Sequence, residues 1–243
     1  MVGVGEEQRS LRELTQTLVF GDERLGILGH ELRNPLSAIT AIAQGTMQRD
    51  DLPADVRERL SQINRAAKRS LAMIESLLDF TDSRWQGSLP TRPVAADPVE
   101  IASRVVEEIA AANPDRVIAL EVRNRAAFAL DPVRIEQVLS NLIANAVVHG
   151  FRDTPIEVSV DVTAAETSFV VSNRGPVIPP DRVSWLFQPF TQGSPRNTDT
   201  ERPRGLGLGL YIVRQIVTAH SGNISVESTA ASGTTFTVRL PGA

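Results

Sequence analysis

The chain of 243 residues contains no cysteine. That absence excludes disulfides, thiol catalysis and cysteine-ligated zinc, and it fits a reducing compartment. Lysine is nearly missing too: Lys68 stands alone, and the remaining positive charge is arginine. No apolar run approaches the ~18 residues of a membrane span, so no direct membrane insertion by this chain is expected. The opening MVGVGEEQRS has no basic stretch followed by an apolar core, so no signal peptide is expected, and the location expected is cytoplasmic. A net charge of −4 offers no basic field for nucleic acid or acidic membrane.

What is present reads as an ordinary soluble globular chain, 42% hydrophobic and 22% charged, long enough for one large domain or two small ones. It has two halves with different patterning. In the first, Leu25, Leu28, Leu32, Leu36, Ile39 and Ile42 form one helical stripe, and Val56, Leu60, Ile63, Ala67, Leu71, Ile74 and Leu78 form another. The polar turn between them, around Asp50 to Pro53, predicts an antiparallel helical hairpin over 21–86. Two helices cannot enclose a core, so pairing with a second copy into a dimeric four-helix bundle is expected. Upstream, residues 1–20 read as a helical leader. Within the first helix the stretch LGHELRNPLS (Leu28 to Ser37) places a histidine, a glutamate and a proline close together. Pro35 lacks an N–H, leaves the carbonyl of Glu31 free and predicts a bend. His30 lies off the apolar stripe, which predicts exposure.

The second half follows a Gly- and Pro-rich stretch, QGSLPTRPVAADP, read as a linker over 87–97. Asp97-Pro98 and Asp131-Pro132 predict helix starts, the first running to about Ala112 and the second to about His149. Alternation predicts strands at Val117 to Arg123, Ile156 to Val162, Ser168 to Ser172, Ile224 to Ser228 and Thr234 to Leu240. A last helix follows Gly209 and ends near Ser221-Gly222, where the glycine suits a C-cap. The fold class is therefore α+β: a helical hairpin, then a mixed sheet over 98–243 with helices on one face.

Three clusters in this half carry chemistry. In RGLGLGLYIV, Gly205, Gly207 and Gly209 precede a helix, an arrangement whose free N–H groups suit phosphate. No Lys-Ser/Thr follows the last glycine, so this is not a P-loop, and no βαβ unit surrounds it. The preceding polar segment, Ser194 to Arg204, predicts a mobile lid whose arginines suit phosphate oxygens. In NLIANAVVH, Asn141 and Asn145 share one face of a helix. An amide oxygen there suits Mg²⁺, a hard ion. In VSNRGPVIPPD, Asn173 ends a strand beside Gly175, placed to meet the edge of a planar ligand. His149 and His220, at helix ends, read as structural. Phe187 and Phe190 read as packing at the lid's root, and Trp85 and Trp185 as packing residues.

Together these stretches resemble the histidine kinases of two-component signalling. LGHELRNPL is similar to the phosphoacceptor box, NLIANAVVH to the asparagine box, SNRGPVIPP to the first glycine box, LFQPF to the phenylalanine box and GLGLGL to the second glycine box. All five stand in the family's order, from about Gly21 to Pro241. Asn173 and the His-Gly after NAVV resemble the bacteriophytochrome-like branch. The resemblance implies a dimerisation and phosphoacceptor hairpin followed by an ATP-binding domain of the Bergerat type. It implies His30 as phosphoacceptor, Glu31 as its acid/base partner and Asn34 as a phosphatase residue. It also implies Asn145 as Mg²⁺ ligand with Asn141 beside it, Asn173 at the adenine, and Gly175, Arg204, Gly205, Gly207 and Gly209 around the nucleotide.

The implied reaction is Mg-ATP-dependent autophosphorylation of His30, then transfer to an aspartate of a response regulator receiver domain. The implied partners are a second copy, that regulator, and an upstream sensor domain or sensor partner. Three residues depart from the family: Asn173 stands in place of an aspartate, Val177 of a glycine and Val148 of a lysine. They keep open a degenerate kinase acting as scaffold or phosphatase, and a non-kinase ATPase is a third class.

Overall fold

Two Asp-Pro pairs start the two longest helices of the second half, and each does so by the same device. Asp97 accepts from the Val99 N–H at 2.9 Å, and Asp131 accepts from the N–H groups of Val133 and Arg134 at 3.1 and 3.2 Å. The following proline sits in the first turn, where its missing N–H costs nothing. These details come from a computed structural model, which describes residues 31–49, 51–85, 87–191 and 206–242. The chain divides into two units, Met1–Thr81 and Asp82–Ala243.

In the first unit, helix α1 spans 31–47 among the described residues, and α2 spans Ala54–Trp85, its last turn falling in the second unit. The turn between them is held by arginine. The Arg57 guanidinium donates to the carbonyls of Met47 and, at 2.8 Å, Arg49. Arg49 in turn bonds Asp51 and holds its carboxyl below the ordinary carboxylate value. Helix α1 continues unbroken across Pro35. Among the described residues of this unit, Ala43 and Ala67 are the buried apolar ones, whereas Leu32, Ile39, Ile42, Val56 and Ile63 stay exposed.

In the second unit, five strands make one mixed sheet: β2 (Ile118–Val122), β4 (Ile156–Val162), β5 (Glu166–Asn173), β7 (Gly233–Pro241) and β6 (Asn223–Thr229), in that spatial order. Strand β2 is parallel to β4; the other neighbours are antiparallel. Register lines the apolar residues up across the sheet. One row reads Val122, Val160, Phe169, Val238, Ile224, and the next reads Leu120, Val158, Val171, Phe236, Val226. Alternate residues such as Glu157, Ser159, Ser172 and Thr237 occupy the opposite, polar face, the pattern of a sheet covered on one side.

Helices α3 (Pro98–Ala112), α4 (Pro132–His149) and α6 (Gly209–Ala219) cover the apolar face, with α4 between the other two. The buried stripe of α4 is Ile135, Val138, Leu139, Leu142, Ile143 and Ala146. Each fully buried aliphatic chain there contributes roughly 1.5–3 kcal/mol. A one-turn helix, α5, spans Pro180–Val183.

The structure corrects the sequence reading in three places. Two short strands, β1 (Val94–Ala96) and β3 (Phe128–Leu130), pair antiparallel, so the tail of the stretch read as a linker is strand, and Leu89 before it is buried. The left-handed residue after α6 is Ser221 (φ 57°), not Gly222. The Gly222 and Ser221 N–H groups bond the Val217 and Thr218 carbonyls at 2.8 and 2.9 Å, closing a Schellman turn. Gly222 is needed for space, because a Cβ there would meet the Arg239 carbonyl. Trp185 does not pack: it is 65% exposed.

Candidate functional site

The third row of the apolar face changes character halfway across. It reads Ile118, Ile156, Asn173, Thr234, Ser228. Asn173 and Thr234 are only 8% and 5% exposed, so polar groups replace aliphatic ones at one end of the sheet. Thr234 shares a hydroxyl bond of 2.8 Å with Ser228, and Ser228 accepts from the Ile178 N–H at 2.9 Å. That bond tethers the far end of the loop leaving Asn173.

Glycine sets the approach of this loop to its neighbours. A Cβ on Gly175 would lie 2.6 Å from the His149 carbonyl and 3.1 Å from Asn173 Nδ2. On the other side, Gly233 (φ 79°) lies so close that a Cβ would strike the Asn173 carbonyl. The strand end is therefore gripped between the C-terminus of α4 and the start of β7.

On α4, Asn141 and Asn145 share a face, and both are half-buried beside Leu142 and Ala146. Asn141 Oδ1 is 3.0 Å from where a Cβ on Gly209 would stand. Gly209 is the first residue of α6, and its N-cap, Leu208, offers no side-chain cap. Such a helix start presents free N–H groups and the positive end of the dipole. Gly207 has φ 70°, and a Cβ on it would lie 2.7 Å from the Thr191 carbonyl. The residues flanking 192–205 consequently meet at the helix start.

The second unit so brings together Asn141 with Gly209 and Asn173 with Gly175, with Asn145 one turn along α4. Glu31 and Asn34 are exposed on α1 in the other unit. His30, Arg204, Gly205 and the lid lie outside the described residues. Phe187 packs edge-on against Phe236, 6.5 Å between ring centroids, as read. Phe190 is 54% exposed and has φ 60°. Val148 and Val177 are both exposed. His220 is structural, as expected. Its Nε2 accepts from the Asp131 N–H at 3.0 Å, and its Nδ1 pairs with the Ile216 carbonyl at 2.8 Å.

Sequence reasoning missed Thr234, Ser228 and Gly233. The signal available was the Gly-Thr pair opening the last strand, but its meaning depends on register with Asn173.

Residues 23–84 match the family model of the His Kinase A (phospho-acceptor) domain, and residues 130–243 match that of the histidine kinase-, DNA gyrase B- and HSP90-like ATPases. The chain belongs to the histidine kinases, as their catalytic core. This kinase core is 31% identical over 218 residues to a bacteriophytochrome of Pseudomonas aeruginosa, covering 89% of this chain and 29% of that protein. It is 32% identical over 236 residues to the probable sensor histidine kinase TcrY of Mycobacterium tuberculosis, covering 96% and 48%. It therefore spans less than half the length of either relative. Full-length ShkA in complex with AMPPNP superposes with a TM-score of 0.66 at 25% identity, over 91% of this chain and 46% of that one. The mycobacterial sensor histidine kinase MprB gives 0.53 at 25% identity, over 63% and 98%.

Proposed function

We propose that the chain phosphorylates itself on His30 from Mg-ATP and passes the phosphoryl group to an aspartate of a response regulator receiver domain. The observation that carries this reading is the Asn141 carboxamide lying against Gly209 at the uncapped start of α6. Such a helix start binds phosphate, and the polar row end at Asn173 and Thr234 supplies a hydrogen-bonding edge for a base. The AMPPNP complex of ShkA supports ATP as the nucleotide.

The residues fit Mg²⁺. Among the described residues no three acidic, histidine or cysteine side chains cluster into an all-protein metal cage. Mg²⁺ bound with a nucleotide needs none, because one protein oxygen plus phosphate oxygens and water complete its shell. Asn145 would supply that oxygen, with Asn141 beside it. When bound, the ion neutralises charge on the phosphates.

In the transfer, a His30 ring nitrogen attacks the γ-phosphorus of ATP, the N–P bond forms, and the bond to the bridging oxygen breaks to release ADP. Glu31, its neighbour on the helix, takes the proton from the other ring nitrogen. The phosphohistidine then yields its phosphoryl group to the regulator's aspartate. Asn34, one turn after Glu31, serves the reverse hydrolysis of the phosphorylated regulator.

The exposed apolar side chains of the hairpin, Leu32, Ile39, Ile42 and Ile63, support a homodimer in which a second copy covers them. Input comes from a sensor domain or a sensor partner. No described helix is long and apolar enough to cross a membrane, and use of ATP supports a cytoplasmic reaction.

Incubation with γ-labelled ATP tests the reading. Acid-labile label is expected on wild type and none on His30→Gln. No label on wild type, or label kept by the variant, overturns it, and the first outcome favours a degenerate scaffold.

A further inference from the structure

We propose that Arg116 is a positioning residue for nucleobase selection, acting through the Arg174 carbonyl on the amide of Asn173. The proposal rests on the reading of Asn173 as the group that meets the base.

Arg116 follows α3 in a tight turn, its N–H bonded to the Asn113 carbonyl at 2.9 Å. Its half-buried guanidinium reaches the C-terminus of α4, where the Ala146 carbonyl already accepts from the Gly150 N–H at 2.8 Å. One terminal nitrogen donates to the Phe151 carbonyl at 2.5 Å and the other to the Ala146 carbonyl at 3.5 Å. A fork and a positive charge both suit this helix end. Gly150 makes room: a Cβ there would lie 2.9 Å from the guanidinium and 2.6 Å from the Ala146 carbonyl. Among the described residues the Arg116 Nε is buried without a hydrogen-bond partner, while both terminal nitrogens are engaged.

From Phe151 the link continues into the site. The Phe151 N–H donates to the Arg174 carbonyl at 2.7 Å, and Asn173 Nδ2 donates to the same oxygen at 3.3 Å. One carbonyl therefore ties the residue that Arg116 holds to the residue that meets the base. With Nδ2 committed to Arg174, Asn173 presents Oδ1, an acceptor. Adenine offers an exocyclic amino donor to that oxygen, whereas guanine offers the acceptor O6. An amide free to turn over would offer Nδ2 to guanine instead. Arg116 thus lets a neutral asparagine select adenine.

The experiment measures Kd for ATP and for GTP with Mg²⁺ on the full chain, with the melting temperature alongside. The variants are Arg116→Ala, Arg116→Lys and Asn173→Ala. Arg116→Ala should weaken ATP by about tenfold, roughly the worth of one hydrogen bond to a charged group, and GTP by much less, so the ATP/GTP ratio narrows. Arg116→Lys, which keeps charge without the fork, should fall between and covers the case in which the alanine variant does not fold. Unchanged affinities in both variants, or equal loss for both nucleotides, overturn the proposal while the reading of Asn173 stands. Unchanged ATP affinity in Asn173→Ala overturns that reading itself.

Discussion

The two units of this chain use their apolar residues in opposite ways. In the ATP-binding unit, aliphatic stripes from three helices and three rows of strand residues meet, and Ile135, Leu139, Leu142, Phe169, Ile212 and Val238 are fully buried. Among the described residues of the hairpin, the buried apolar ones are two alanines, while Leu32, Ile39, Ile42 and Ile63 face solvent. A sheet with one covered face satisfies its own apolar surface. A helix pair cannot, and leaves a seam for another chain. The chemistry divides the same way. The groups proposed to hold nucleotide are set against a buried core, whereas Glu31 and Asn34 stand on an exposed helix face.

That division is broken most directly at Asn145. Asn145→Ala should lower the rate of His30 phosphorylation by about 100-fold, the scale of losing one electrostatic stabiliser, with the melting temperature of the ATP-binding unit unchanged. A small rate effect would show that α4 is scaffold and not site. The hairpin offers the converse. Ile42→Glu with Ile63→Glu should weaken dimerisation by roughly 100-fold or more, since a charge cannot enter an apolar seam unpaired. Sedimentation would show monomer while ATP affinity stays the same. A dimer that survives both charges would move the interface elsewhere.

Local signals were legible in the sequence, and pairings between distant segments were not. The starts of α3 and α4 were readable because cap, proline and stripe lie within a few residues of one another. Strand β4 was readable because seven alternating residues leave one register. Strands β1 and β3 hold three residues each, too few for a period to show, and they exist because they pair. Thr234 gains its place from register with Asn173 across the sheet, and Arg116 from a carbonyl at the far end of α4. Nothing beside either residue in the sequence announces it. Ser221 illustrates a finer limit. The glycine next to it drew the C-cap reading, yet the Schellman bonds put the left-handed turn one residue earlier.

His220 sharpens the claim that the ATP-binding unit holds itself together. Its ring joins the last turn of α6 to the Asp131 N–H at the start of α4, and Asp131 Oδ2 accepts from the Arg92 N–H at 2.8 Å. His220→Ala should cost about 2 kcal/mol, because it leaves the part-buried Asp131 N–H unpaired, while the Ile216 carbonyl keeps the backbone N–H of residue 220. The melting temperature of this unit should then fall by roughly 5 °C for a domain of its size. A loss confined to catalysis, with no change in melting, would give His220 a role in the reaction.

The smallest expected effect is at Asp97, and it is read in acid. Burial raises the Asp97 carboxyl, but the bonds from Arg125 and from the Val99 and Glu100 N–H groups outweigh it, so the folded value lies below the ordinary 3.8. Above pH 3.8 both folded and unfolded chains carry the charge, and its stabilisation is fully present. As pH falls below that value the unfolded chain takes up the proton first, so the contribution fades until the folded carboxyl is also protonated. Asp97→Asn keeps an oxygen to cap α3 and removes the titration. The variant should be slightly less stable than wild type at neutral pH and converge with it in strong acid. Stability measured against pH for the two proteins checks this: a constant gap down to low pH would mean the charge of Asp97 contributes nothing that its capping oxygen does not.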